Sequence, residues 1–194
     1  MSGLPYRHEI RFAGTGGQGL ILAATVLGAA FGGIGRHVAQ SQGYEPTSRG
    51  GFCHADLVVA DAPVDYPLAT RLDTLVLLDQ NAVARSVPLL VEGALVLADL
   101  RLVPDPPMGP YVLHELALTR TALDLGSERI ANVVALGAWS ALAGSLPVAV
   151  LEQALLAQSP AAFRDLNLAA FSAGRKLAGS GTPAVAQLHA APVL

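Results

Sequence analysis

A chain of 194 residues has the length of one domain and can bury about 70% of its unfolded surface. Only 14% of its residues are charged, against about 25% in an ordinary domain, and 52% are hydrophobic, so little charge covers a free-standing surface. A net charge of -3 without a basic cluster argues against nucleic acid, and a single cysteine, Cys53, excludes an internal disulfide, a zinc finger or an iron–sulfur cluster held by this chain.

The apolar surplus has two explanations, membrane insertion or a large protein–protein interface. Two uncharged runs have spanning length, Phe12–Gly35 and Ile130–Leu151. The first holds eight glycines, the second holds Asn132, Ser140, Ser145 and Pro147, and neither carries the basic or aromatic anchors of a span. Buried helices explain both better. Met1–Glu9 lacks a basic region followed by an apolar stretch, so no signal peptide is expected and the chain reads as cytoplasmic.

In chain order, His8–Ala13 reads as a strand and Leu20–Gly32 as a helix without a charged face. Between them, Gly14, Gly16 and Gly19 fill the pattern G-x-G-x-x-G in its meaningful setting of strand, turn and helix. Such a turn lets a ligand approach the main chain and aims unpaired N–H groups at an anion. The competing reading is a glycine turn packed against a neighbouring strand with no ligand. His37–Gln42 reads as a second strand, completing a βαβ unit. A nicotinamide site needs an acid at the end of that strand; Gln40, Ser41 and Gln42 stand there instead, and Glu45 follows only after a turn. A dinucleotide is therefore the minority reading.

Gly43–Gly51 reads as an irregular loop in which Arg49 could offer a bidentate fork to a phosphate or remain a solvated surface residue. Phe52–Ala60 alternates as a strand with Cys53, Ala55, Leu57 and Val59 on one face. Thr74–Leu78 and Ala94–Ala98 read as buried strands, ending at Asp79 and Asp99, which we take as helix caps or turn formers rather than catalytic acids. Gln80–Val87 reads as a short helix, Arg101–Pro110 as a loop, Tyr111–Leu116 as a strand and Leu118–Leu125 as a helix closed by Gly126.

Three helices follow, Glu128–Gly144, Ser145–Gln158 and Ser159–Ala178, with Ser145 and Ser159 as expected caps and Pro147 and Pro160 inside the first turns. Trp139 is expected in the core, and Asn132 and Asn167, on apolar stretches, are expected to be hydrogen-bonded. Residues 1–178 read as one α/β domain and 179–194 as a loose or partner-docked tail. The five histidines show no metal-ligand spacing, and neither a G-x-S-x-G elbow nor a lysine after the glycine loop is present. The residues alone describe an α/β domain that binds something phosphate-like inside a complex.

The stretches IRFAGTGGQGLILAATVLGAA, SQGYEPTSRGGFCHADLVVAD and PVDYP resemble the gamma subunit, or gamma domain, of the 2-oxoacid:ferredoxin oxidoreductases, as do SERIANVVALGAWSALAG and LNLAAFSAGRKLA. The likeness runs from about Arg7 to Ala178. It implies a three-layer α/β sandwich with a largely parallel central sheet. It also implies membership of an enzyme that decarboxylates a pyruvate-, 2-oxoglutarate-, 2-oxoisovalerate- or indolepyruvate-type acid to an acyl-CoA and reduces ferredoxin. Alpha, beta and delta parts would carry thiamine diphosphate and the iron–sulfur clusters, and the gamma part would contribute to coenzyme A binding and assembly. The matching positions are Gly14, Gly16, Gly17, Gln18 and Gly19 in the first motif and Tyr44, Arg49, Gly50 and Gly51 in the second. No catalytic residue and no metal ligand is implied. A stand-alone dinucleotide enzyme and a ligand-free structural module remain as alternatives, and self-association of the isolated chain as a homodimer stays open.

Overall fold

The computed structural model describes residues 6–45 and 50–180. Six strands form one sheet: β1 Arg7–Thr15, β2 His37–Tyr44, β3 Phe52–Ala60, β4 Leu72–Leu77, β5 Leu90–Asp99 and β6 Val112–Leu116, in the order β2-β3-β1-β4-β5-β6. The β1–β4, β4–β5 and β5–β6 pairs are parallel, and β3 is antiparallel to both of its neighbours. The helices are α1 Leu20–Gly33, α2 Val83–Ser86, α3 Leu118–Asp124, α4 Ala131–Ala143, α5 Val148–Gln158 and α6 Arg164–Ser180. Short 3₁₀ turns extend α2 on both sides and precede α4 and α6.

The first expected βαβ unit is opened by an inserted strand. β1 and β2 point the same way, but β3 lies between them and pairs with both along their lengths. β3 owes this central place to its apolar sequence: seven of its nine positions are hydrophobic, and only His54 is partly exposed.

One face of the sheet carries Ile10, Phe12, Cys53, Ala55, Leu57, Val59, Val76 and Leu97, the alternation expected for β3 included. It packs with α1, α3, α4, α5 and α6, and Trp139 lies in that core at 1% exposure. The second face, with Leu75, Leu77, Val96 and Ala98, is covered by Ala82, Val83, Leu89 and Val103 from the turns around α2 and the following loops. Toward β1 and β3 it becomes ionic. Arg11 and Asp56, directly opposite in register, form a buried two-pronged pair at 2.7 and 2.8 Å. Glu9, also buried, accepts hydrogen bonds from Arg7 Nε and from the amides of Thr70 and Arg71.

The two uncharged runs are divided by structure: the first into the end of β1, a turn and α1, the second into α4 and the start of α5. Among the described residues no helix is long and apolar enough to cross a membrane. Two expected caps are corrected. Pro147 and Pro160 themselves occupy the N-cap positions of α5 and of the turn before α6, because an extended proline ends the preceding segment and sets the entry angle. Ser159 instead accepts a hydrogen bond from Asn167 Nδ2 at 2.8 Å. Ser127, unforeseen, caps the turn before α4 by accepting from the Arg129 amide. α6 runs to Ser180, two residues into the expected tail; residues 181–194 lie outside the described residues.

Candidate functional site

β1 delivers the chain to the carboxyl end of its parallel neighbours, the edge of an α/β sheet where ligands gather. The turn from Thr15 to Gly19 then hands it to α1. The Gln18 side chain sets the shape of this turn. Its Oε1 accepts from the Thr15 amide at 2.7 Å and its Nε2 donates to the Leu78 carbonyl at 2.7 Å, tying the turn to the end of β4. Gly14 has no room for a side chain, since a Cβ there would overlap the Gln18 amide.

Gly19 is the N-cap of α1 in the left-handed region at φ 70, and Asn132 Nδ2 of α4 donates to its carbonyl at 2.8 Å. Gln18 and Asn132 therefore use these donors to fix the loop against β4 and α4. What remains toward solvent is main chain: an added Cβ at Gly16 or Gly17 would meet nothing within 4 Å, and the amides opening α1 have no partners within the helix.

A cavity of 380 Å³ lies against this turn, lined by Thr15, Gly16, Gly17, Gln18, Leu102, Thr119, Glu128, Arg129 and Ala131. Two helix starts face it, that of α1 and that of the segment leading into α4, so the positive ends of two dipoles converge there. Arg129 brings a guanidinium, with its fork of N–H donors, to the lining. Thr119 is 3% exposed and its Oγ1 has no hydrogen-bond partner within the described structure. Asn132 Oδ1, next in sequence to the lining residue Ala131, is likewise buried and unpartnered. Open main-chain amides, one guanidinium and an unpaired hydroxyl together offer donors to anionic oxygen, opposed on the same lining by the Glu128 carboxylate.

Asp99, at the end of β5, is fully buried and accepts from the amides of Arg101 and Leu102 at 2.9 Å each and of Thr119 at 2.5 Å. It is a turn former that places Leu102 and Thr119 on the cavity wall. Asp79 accepts from the Asn81 amide as a cap. Both carboxylates hold the turns that follow their strands.

The second motif reaches the same sheet edge. Tyr44 is opposite Cys53 on β3, and Cys53 is opposite Gly14 on β1, so three neighbouring strands bring Tyr44 to about 10 Å from the first glycine, at two strand spacings. Tyr44 is 71% exposed and Gly50 adopts φ 69. Tyr44, Gly50 and Gly51 stand on the β3 side of the turn and do not line the cavity. Arg49 lies outside the described residues. Glu45 is paired with Arg85, whose guanidinium also sits 5.4 Å from the centre of the Phe52 ring.

Thr119, Glu128 and Arg129 were missed in the sequence because they follow the glycine loop by 100 residues or more. One signal was present. Arg129 is a basic residue at the start of a helical segment, where the dipole disfavours it, and such broken local rules tend to mark sites.

Comparison with known proteins gives this geometry its context. The model of the pyruvate ferredoxin/flavodoxin oxidoreductase family matches residues 9–177. The chain is 36% identical to the 2-oxoglutarate synthase subunit KorC of Methanocaldococcus jannaschii, over 89% of this chain and 94% of that one. It superimposes with a TM-score of 0.81 and 40% identity on the gamma subunit of a keto/oxoacid ferredoxin oxidoreductase from Geobacter sulfurreducens, covering 89% of this chain and 97% of that one. It shares its fold, at a TM-score of 0.79 and 23% identity, with part of a 2-oxoglutarate:ferredoxin oxidoreductase from Magnetococcus marinus solved with 2-oxoglutarate, coenzyme A and succinyl-CoA bound, covering 92% of this chain and 32% of that one. The chain belongs to the pyruvate ferredoxin/flavodoxin oxidoreductase family, in the form of its gamma subunit.

Proposed function

We propose that this chain completes the coenzyme A site of a 2-oxoacid:ferredoxin oxidoreductase, and that the cavity beside Gly16–Gly19 receives the phosphates of that co-substrate. The observation that carries the reading is the convergence of two helix starts, Arg129 and the unpaired Thr119 hydroxyl on one 380 Å³ space. That volume suits a phosphate-bearing portion of coenzyme A, whose remaining length runs out over the surface toward companion chains. Gly16, Gly17 and Gly19 would donate main-chain hydrogen bonds, Gln18 and Gly14 would hold the turn in shape, and Arg129 would neutralise charge. Tyr44, Arg49, Gly50 and Gly51 would form the flank on the β3 side.

When bound, coenzyme A supplies the thiol that accepts the acyl group. The contribution of this chain is orientation, which makes an encounter between two molecules a local one. Alpha, beta and delta companions would hold thiamine diphosphate and the iron–sulfur clusters, with ferredoxin as their electron acceptor and the cytoplasm as the compartment. The likeness to a 2-oxoglutarate synthase subunit supports 2-oxoglutarate as the acid consumed. Residues 1–178 would act as a single unit.

The dinucleotide alternative finds less support, since Glu45, the nearest acid after β2, is already engaged by Arg85. The test is steady-state kinetics of the assembled enzyme. Arg129→Ala should raise the Michaelis constant for coenzyme A about tenfold, the loss of a charge-assisted hydrogen bond or two, and leave that for the 2-oxoacid within twofold. Equal constants in variant and parent would contradict the assignment of the cavity.

A further inference from the structure

A second cavity, of 440 Å³, lies at the opposite, amino end of the parallel strands, on the helical face. Its lining comes from Tyr6 and His8 of the β1 region, Asp73 and Thr74 of β4, Gly93 and Leu95 of β5, Val112 and His114 of β6, and Leu142, Ala143 and Ser145 at the end of α4. The proposed coenzyme A site does not use it. The two cavities have opposite electrical character because α4 connects them: its start faces the glycine turn and its end faces this one. A helix end presents carbonyl oxygens and the negative pole of the dipole, which favours a cation and repels an anion.

The other polar groups agree. The Asp73 carboxylate accepts from the Glu9 amide at 2.9 Å and is approached by Arg71 at 3.5 Å, through a guanidinium side chain that is 60% exposed. His8 Nε2 is 3.1 Å from Thr74 Oγ1, and its Nδ1 is 4.0 Å from Asp73 Oδ2. Burial pushes the pKa of His8 and of His114 down, Asp73 opposing it at His8, which favours neutral rings near pH 7, each with one lone pair beside its N–H. Of two further cations near this end, Arg36 is paired with Asp61 and stacked on the Tyr6 ring, and Arg7 is paired with Glu9. The floor, Leu95, Val112, Leu142 and Ala143, is apolar. Acceptors around an apolar floor call for a donor cation with a hydrocarbon body.

We propose that this cavity takes a primary ammonium on an apolar stem, from the lysyl side chain of a companion chain or from a free alkylamine. The test uses the full chain with ¹⁵N-labelled histidine at pH 7.5 and three probes of one size: butylamine, butanol and butyrate. Butylamine should shift the ring signals of His8 and His114 saturably, while butanol and butyrate leave them in place. Ala143→Phe, which fills the cavity from the last turn of α4, should abolish the response without lowering the melting temperature by more than a few degrees. Asp73→Asn should weaken it at least fivefold.

In the assembled enzyme, a persisting butylamine response assigns the site to a free amine. A lost response, with one companion lysine shielded from acylation, assigns it to that side chain. An equal response to butanol, no response to any probe, or an undiminished response in Ala143→Phe would overturn the proposal. Failure here leaves the coenzyme A reading untouched, since the two cavities share no lining residue.

Discussion

Arg11 and Asp56 show how single residues in this chain are chosen in pairs. Each lies on the second face of the sheet, at 6% and 2% exposure, and each is the register partner of the other across β1 and β3. His54 Nε2 stands 3.8 Å from Asp56 Oδ2, adding a second approach to the same carboxylate. Two buried charges are expensive to desolvate, and their attraction largely offsets that cost only while both are present. Arg11→Leu should therefore destabilise the fold by about 3–5 kcal/mol, and Arg11→Leu combined with Asp56→Leu by clearly less. Denaturant midpoints of the single and double variants decide the matter; a double variant weaker than the single would refute the pairing argument. In the sequence, Glu9 and Arg11 alternate with Ile10 and Phe12 as in a strand with one wet face. The alternation was legible, but the burial of both faces was not, because the partner of Arg11 is 45 positions away.

At the scale of elements, glycine sets the distance between α4 and α6. A Cβ built on Gly174 of α6 would overlap the Val134 carbonyl of α4, so the backbones touch where most helices are held apart by side chains. Replacing a helical glycine by alanine normally gains about 1 kcal/mol in propensity. Forcing a methyl group into a packed interface costs about 1–3 kcal/mol and here meets backbone, which cannot swing away. The second effect should win: Gly174→Ala is expected to lower the thermal midpoint, while the same change at exposed Gly179 leaves it unchanged or raises it. A more stable Gly174→Ala would show that the two helices part without loss.

Most elements could be read locally, since period, glycine and proline announce strands and helix ends. Strand order could not. Nothing local in Phe52–Ala60 says that it inserts between β1 and β2 rather than extending the parallel run, because that choice depends on which edges remain open after the first unit folds. For the site, the glycine turn was legible from spacing, whereas the wall carrying Thr119 and Arg129 exists only after β5, β6 and α3 have been laid beside β4.

Over the whole molecule, three histidines share one electrostatic consequence. Burial lowers the pKa of His8, His54 and His114 from the ordinary histidine value of about 6.5; nearby Asp73 and Asp56 partly oppose this at the first two, and Arg11 reinforces it at His54. A base with a depressed folded-state pKa takes up protons more readily when unfolded, so acid draws the equilibrium toward the unfolded chain. Stability should be level between about pH 7.5 and 8 and decline as the pH falls through 6.5 toward 5; on the alkaline side the raised pKa values of the Cys53 thiol and the Tyr6 and Tyr111 hydroxyls make it fall again. Denaturant titrations at pH 7.5 and 5.5 measure this, and greater stability at pH 5.5 would reverse the sign of the argument.

The two cavities lie at opposite ends of one sheet, and the proposed function rests on the one beside the glycine turn. Amide hydrogen exchange on the assembled enzyme, with and without coenzyme A, probes that end most directly. The account predicts slower exchange at Gly16–Gly19 and at the start of the segment containing Arg129, with the amides around His114 unaffected. Protection confined to other regions of the chain, with the glycine turn exchanging at the same rate in both states, would contradict it.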